Sequence, residues 1–362
     1  MVNLTLNKAP LFLLIATALC AKSINYAVSD IHTLTMPKDS LHITASYMLI
    51  NDSIDLLSLK KSELGGSSNF DALGDMTGYE FGIAYGLRDD LMISYKINQQ
   101  KITYNNNEFE NTKNEIFARY NIFQNASAIF NSGVSLDAGF INNSLKNVYV
   151  TNINDINELS KRYSNDNFQI VPNNGGLDVV KNNQSTTLAY YPWVGLEDTS
   201  DNSFYLRALT GFHNDNSLYD FYIGMKYTKI NNIVTANDEL LSLASTNNYN
   251  IYKDLQRTEN MFFFGTNIFY ELNDYILEFA YEFDYLKRDS NLDYVNFNHL
   301  VDLTLDYKVS KNLLIFAGGE FMYRQLNGQI PYLYNQYTQT TYDHVYGYAK
   351  FGITYNFKFD GH

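Results

Sequence analysis

The stretch from Tyr342 to Phe359 limits the possible folds more than any other part of the chain. Its odd positions carry Val345, Gly347, Ala349, Phe351, Ile353, Tyr355, Phe357 and Phe359, and its even ones Tyr346, Tyr348, Lys350, Gly352, Thr354, Asn356 and Lys358. Successive side chains of a strand point to opposite faces, so this segment writes one apolar and one polar face. The alternation runs about twice as long as an ordinary globular strand of ~5–6 residues, a length suited to a strand that crosses a bilayer at a tilt. The closing aromatics fall where a girdle at the membrane interface belongs.

The same pattern recurs upstream in segments of about ten residues: Leu41–Ile50, Thr77–Leu87, Leu91–Asn98, Lys113–Phe123, Phe130–Ile141, Thr186–Glu197, Phe204–His213, Tyr219–Ile230, Phe262–Leu272, Tyr275–Leu286, His299–Lys308 and Leu313–Arg324. Tyr275–Leu286 is the clearest, with Tyr275, Leu277, Phe279, Tyr281, Phe283 and Tyr285 on one face and Glu278, Ala280, Glu282 and Asp284 on the other. A soluble sandwich rarely turns Tyr and Phe outward so consistently while its other face carries charge. Composition agrees: 31 Tyr and 24 Phe against one Trp, with 18% charged residues. A mean hydropathy of -0.27 and the lack of an internal run of ~20 apolar residues exclude a helical membrane protein. The expected fold is therefore all-β, a single transmembrane antiparallel up-and-down barrel with short inner turns and long outer loops.

With the closing strand these segments make an odd number, whereas such barrels have even counts with both termini on the inner side. Arg88–Asp90, Gln124–Ala126, Asn273–Asp274 and Val309–Lys311 fit short inner turns. Asp198–Asn202 and Asn214–Ser217 cannot both be inner turns with one strand between them. A further strand within Val148–Val171 or Tyr249–Leu255 restores parity and gives about 14 strands, with 12 or 16 as the alternatives. The long outer connections are then Asn51–Met76, Gln99–Thr112, Asn142–Ser185, Asn231–Glu259 and Gln325–Thr341, rich in Asn, Ser, Asp and Thr. Three brief amphipathic runs, Ile54–Leu64, Ile156–Lys161 and Asp238–Ala244, suit helical turns on the rim or a loop folded into the lumen, and Asp238 can cap such a helix.

The N-terminus has Lys8, an apolar run from Ala9 to Ile15 and small residues after it, which reads as an export signal over residues 1–21. Cleavage fits Ala16-Thr17-Ala18 or the bond after Ala21. The sole cysteine, Cys20, lies in this segment, so no disulfide framework is expected, and Leu19 is too large to precede a lipidated cysteine. Residues 22–40 form an inner N-terminal segment, 41–359 the barrel and 360–362 an extension.

The C-terminal alternation resembles the targeting strand of bacterial outer-membrane β-barrels, which closes on an aromatic residue; here Asp360, Gly361 and His362 follow Phe359. The resemblance implies a porin-like barrel in the cell outer membrane. Its partners would be lipid and lipopolysaccharide, the barrel-assembly machinery through the last strand, a possible second copy of itself, and small polar solutes that diffuse through.

Inward charges are the candidate functional residues. Glu278, Glu282 and Asp284 share one strand, Asp302 and Asp306 the next, and Glu320 with Arg324 the one after; Lys96, Arg119, Arg207, Lys226 and Lys350 supply inward bases. A simple hairpin register puts Asp302 within about one residue pair of Glu320 across the ladder, roughly 5 Å apart at the side-chain roots. Such carboxylates share a proton, bind a cation or are bridged by Lys or Arg. The charges either line a wet lumen as ion pairs or set an acidic wall opposite a basic one that selects cations. The net charge of -13 argues against nucleic acid as a partner. No Gly-x-Ser-x-Gly, His-Glu-x-x-His, phosphate loop or Cys-x-x-Cys is present, no cofactor is implied, and Asp343–His344 is the nearest approach to a rim catalytic pair. The expected activity is passive, cation-favouring diffusion of small hydrophilic solutes. A closed barrel acting through its outer loops and a rim hydrolase are the alternatives, while a path for hydrophobic solutes conflicts with the polar inward faces.

Overall fold

The two ends of the chain meet in one ladder. β1 (Ser40–Ile50) pairs antiparallel with the last strand, Tyr346–Lys358, from Ser40 opposite Lys358 to Leu49 opposite Ala349. The computed structural model describes residues 35–55, 73–104, 107–126, 131–157, 168–213, 216–246, 251, 253–288, 296–323, 330–333 and 345–359. In chain order the strands after β1 are β2 (Leu73–Arg88), β3 (Leu91–Tyr104), β4 (Asn107–Ala126), β5 (Asn131–Leu145), β6 (Val148–Val150), β7 (Gln169–Asn173), β8 (Gly176–Lys181), β9 (Gln184–Leu188), β10 (Val194–His213), β11 (Ser217–Ala236), β12 (Lys253–Asp254), β13 (Arg257–Leu272), β14 (Tyr275–Arg288), β15 (Phe297–Lys308), β16 (Leu313–Tyr323) and β17 (Tyr346–Lys358). A helix, α1, spans Asp238–Thr246.

The main sheet has 14 strands, of which β6 and β12 are stubs on the outer ends of β10 and β11; without them, twelve close the wall. The expected count of about 14 holds for the sheet and the alternative of 12 for the wall. The odd segment was Thr186–Glu197. It divides between β9 and the start of β10, with a bend at Ala189 and Tyr190 and then Pro192 ahead of the ladder. The turn expected at Asp198–Asn202 does not exist. β10 passes straight through it on a bulge, with a register shift between Glu197 and Ser200 and Asp198 at φ 48°. Aspartate is among the few residues that tolerate that region, and a bulge inserts an unpaired residue that the alternation cannot announce. Gln124–Ala126 likewise belongs to β4 rather than to a turn, and Gln99–Thr112 is largely continued β3 and β4.

The wall is apolar outside and charged inside, the reverse of a soluble protein. Ile223, Phe262, Phe264 and Phe351 stand outward, Ile223 with 66% of its surface free, while Arg119 and Asp306 on the inward face are fully buried. Inside, aromatic rings lie flat on glycines of neighbouring strands. A Cβ at Gly265 would sit 2.3 Å from the Tyr222 hydroxyl, and one at Gly139 2.3 Å from the Tyr205 ring. Gly265→Ala is therefore expected to destabilise the barrel by about 1–3 kcal/mol through overpacking, read as a lower urea midpoint for loss of the heat-modifiable band.

Two of the expected solvated connections, Asn142–Ser185 and Asn231–Glu259, fold into an outer cap. The sheet β7–β8–β9, helical residues 153–157 and α1 share a core that includes Ile156, Ile170, Val179, Leu188 and Leu240. The Asp178 carboxylate ties this sheet by accepting hydrogen bonds from Ser185, Thr187 and Asn173, which hold it below the usual carboxylate range. The cap of α1 is Asn237, whose carbonyl accepts the Leu241 N–H at 3.0 Å; Asp238 sits in the first turn instead. Glu239 accepts the N–H groups of Ala189 and Tyr190, binding α1 to the rim. The signal segment 1–21, Gly65–Ser68, Asp343–His344 and 360–362 lie outside the described residues.

Candidate functional site

Residues 35–40, part of the expected inner segment, turn under the barrel floor. Met36 is buried against Ala84, Met92 and Phe117, and the Lys38 N–H donates to Asp89 Oδ1 at 2.9 Å. Above this floor sits a buried triad. Arg119 clamps Asp137 through Nε to Oδ1 at 2.7 Å and Nη2 to Oδ2 at 3.0 Å, and Arg207 donates Nε to Oδ2 at 2.9 Å. The register sets it: Arg119, Asp137 and Arg207 stand directly opposite on β4, β5 and β10. The Arg207 guanidinium also lies 5.7 Å from the Tyr205 ring centre and 5.6 Å from that of Tyr222.

Midway up, Asp302 is paired directly with Glu320, as a simple hairpin demands. Lys350 bridges to Asp302, and the Tyr348 hydroxyl donates to Glu320 Oε2 at 2.9 Å. These groups face a cavity of about 240 Å³ whose lining holds five carboxylates, Glu80, Glu278, Glu282, Asp302 and Glu320, against Lys96 and Lys350. A second cavity of about 180 Å³ shares Glu282 and Leu300 with the first and adds Asp284, Lys226, Arg207 and, from above, Pro331.

The expected candidates thus divide. Glu278, Glu282, Asp302, Glu320, Lys96 and Lys350 gather on the larger cavity, and Asp284, Lys226 and Arg207 on the smaller one. Arg119 belongs to the triad below, Asp306 is buried opposite Ile276 and Phe316, and Arg324 lies outside the described residues. The charges do not form two opposed walls. Lys350 stands beside the acids, and Asp137 and Glu115 neutralise Arg119, Arg207 and Lys113. Asp137 and Glu115 were legible as inward positions of their strands, since Leu136 and Ile116 beside them face outward.

The outer mouth is closed. Residues 330–333 of the β16–β17 connection enter the barrel as a 3-10 turn at Pro331–Leu333, and Ile330, Tyr332 and Leu333 pack against Met48, Ile50, Met76 and Met322 of the wall. Tyr332 is 1% exposed; its hydroxyl donates to Asn111 Oδ1 at 2.5 Å, and its carbonyl accepts from Asn232 Nδ2 at 3.1 Å. Arg257, paired with Glu259, donates Nη2 to the Pro331 carbonyl at 2.8 Å. None of the three amphipathic runs singled out above supplies this segment. Its signal was the apolar run Ile330-Pro331-Tyr332-Leu333 in an otherwise polar loop. The inward faces are consequently not polar throughout: the outermost positions are apolar because they receive this stopper.

No protein-family model matches the chain, and no curated protein matches it. Solved structures do. The translocator domain of the autotransporter NalP from Neisseria meningitidis matches at 11% identity and TM-score 0.46, over 89% of this chain and 90% of that one. The Pseudomonas putida toluene transporter TodX matches at 8% and 0.43, over 94% and 96%, and the NanC porin at 8% and 0.40, over 87% and 98%. The chain itself is a closed antiparallel β-barrel whose wall has twelve strands. At these identities the likeness extends to the fold alone.

Proposed function

We propose that this barrel is an outer-membrane channel for small hydrophilic solutes, favouring cations, whose outer mouth is shut by residues 330–333 until that segment withdraws. The observation that carries the reading is a polar, acid-rich cavity beneath a stopper supplied by a single connection rather than by the wall itself. A loop held by side-chain packing and a few hydrogen bonds can leave without breaking the barrel ladder, whereas wall strands cannot. The excess of carboxylates around the larger cavity, with the overall charge of -13, supports the preference for cations. Lipid, lipopolysaccharide and the assembly machinery are its proposed partners, and we assign it no catalytic role.

The test is reconstitution in planar bilayers across a potassium chloride gradient. Rare openings whose reversal potential lies toward that of potassium are expected. A reversal potential toward chloride removes the cation preference. The packing of residues 330–333 across the mouth and the separate core of the outer cap favour a second reading, a closed barrel that acts through its outer structure. Silence of both the wild type and a variant without the stopper would establish that reading instead.

A further inference from the structure

We infer that the smaller luminal cavity is a binding site for a small organic cation, a primary ammonium or guanidinium on a short apolar tail, held by Asp284 and Glu282. The inference deepens the channel reading and rests on it for its purpose, though the site can be measured without conduction. Asp284 and Glu282 alternate on β14, so both turn inward, and both line the 180 Å³ cavity. Several inward acids are answered by bases or donors: Asp137 by two arginines, Glu259 by Arg257, Glu271 by Lys308, Asp302 by Lys350 and Glu320 by Tyr348. Asp284 differs. It is 4% exposed, its Oδ1 has no hydrogen-bond partner among the described residues, and besides the neighbouring Glu282 carboxyl it meets a long 3.4 Å contact from Asn298 Nδ2 to Oδ2. A buried carboxylate oxygen without a donor is costly, and a ligand that brings an N–H group removes that cost.

The rest of the lining specifies the ligand. Lys226 is the neighbouring base; Arg207 is committed to Asp137 and Lys113 lies 3.5 Å from Glu115, so one added positive charge is accommodated beside the two acids. Met261, Phe263 and Ile141 provide apolar surface for a tail. Within the same lumen a guanidinium already rests between the rings of Tyr205 and Tyr222, so these walls accept a delocalised cation. A cavity of about 150 Å³ holds benzene, so this one accepts a ligand of about that size.

Isothermal titration of the detergent-solubilised full-length barrel with butylammonium, against 1-pentanol and pentanoate, tests the proposal. Saturable binding of butylammonium alone is expected, weakened on the order of tenfold or more in Asp284→Asn and in Glu282→Gln and retained in Asp284→Glu. Heat-modifiable gel mobility reports whether each variant is folded. Equal binding of the neutral or anionic probe overturns the proposal, as does butylammonium binding that folded Asp284→Asn and Glu282→Gln both leave unchanged. Binding with these properties in a protein that never conducts keeps the site and removes the channel. Potassium conduction without butylammonium binding removes the site and keeps the channel.

Discussion

A Tyr332→Ala barrel should conduct steadily where the wild type opens only in brief bursts. The ring is 1% exposed at the centre of the stopper and touches wall residues from both halves of the chain. Truncating a buried aromatic costs about 3 kcal/mol or more, and here the loss falls only on the inserted state, because a withdrawn loop leaves the ring in water. Since 1.4 kcal/mol is a factor of ten, the ratio of shut to open mouths falls by on the order of 100-fold. Single-channel open probability measures it directly. Tyr332→Phe loses only the bond to Asn111, worth about 1 kcal/mol, and should raise open probability by roughly fivefold. Unchanged open probability in a folded Tyr332→Ala protein would mean that residues 330–333 do not control passage.

Asp137→Ala is expected to cost more stability than any other single luminal change, about 3–5 kcal/mol, because it leaves the Arg119 and Arg207 guanidiniums buried and facing each other without a counter-charge. The effect appears as a large drop in the urea midpoint for loss of heat-modifiable mobility. Replacing the whole triad with Met, Leu and Met should recover most of it, since a buried ion network offsets its own desolvation rather than adding much net stability. A mild single-variant effect would mean that water reaches the triad and screens it.

Much of the wall was legible. In β14 and β17 the strict alternation assigns each side chain a face, because a one-residue slip would turn Glu282 or Lys350 onto the apolar outer face, a far larger penalty than any local preference. That Asp302 lies within about one residue pair of Glu320 followed from the short turn between β15 and β16; the ladder pairs them directly. Where the alternation lapses, the reading failed. At Asp198 a bulge carries β10 through what looked like a turn, and β7, β8 and β9 are too short to set a period.

The sequence by itself determined that a two-faced sheet must close on itself, which side of each strand faces outward and which charges turn inward, since these depend on a residue's neighbours along one strand. Only the tertiary structure decided which charges neutralise one another and where the lumen shuts. Arg119, Asp137 and Arg207 become partners because three strands lie side by side around the ring, and Tyr332 reaches Asn111 across 221 residues of chain. Such contacts depend on how the strands are ordered and aligned when the barrel closes, a long-range property that no local pattern of polarity encodes.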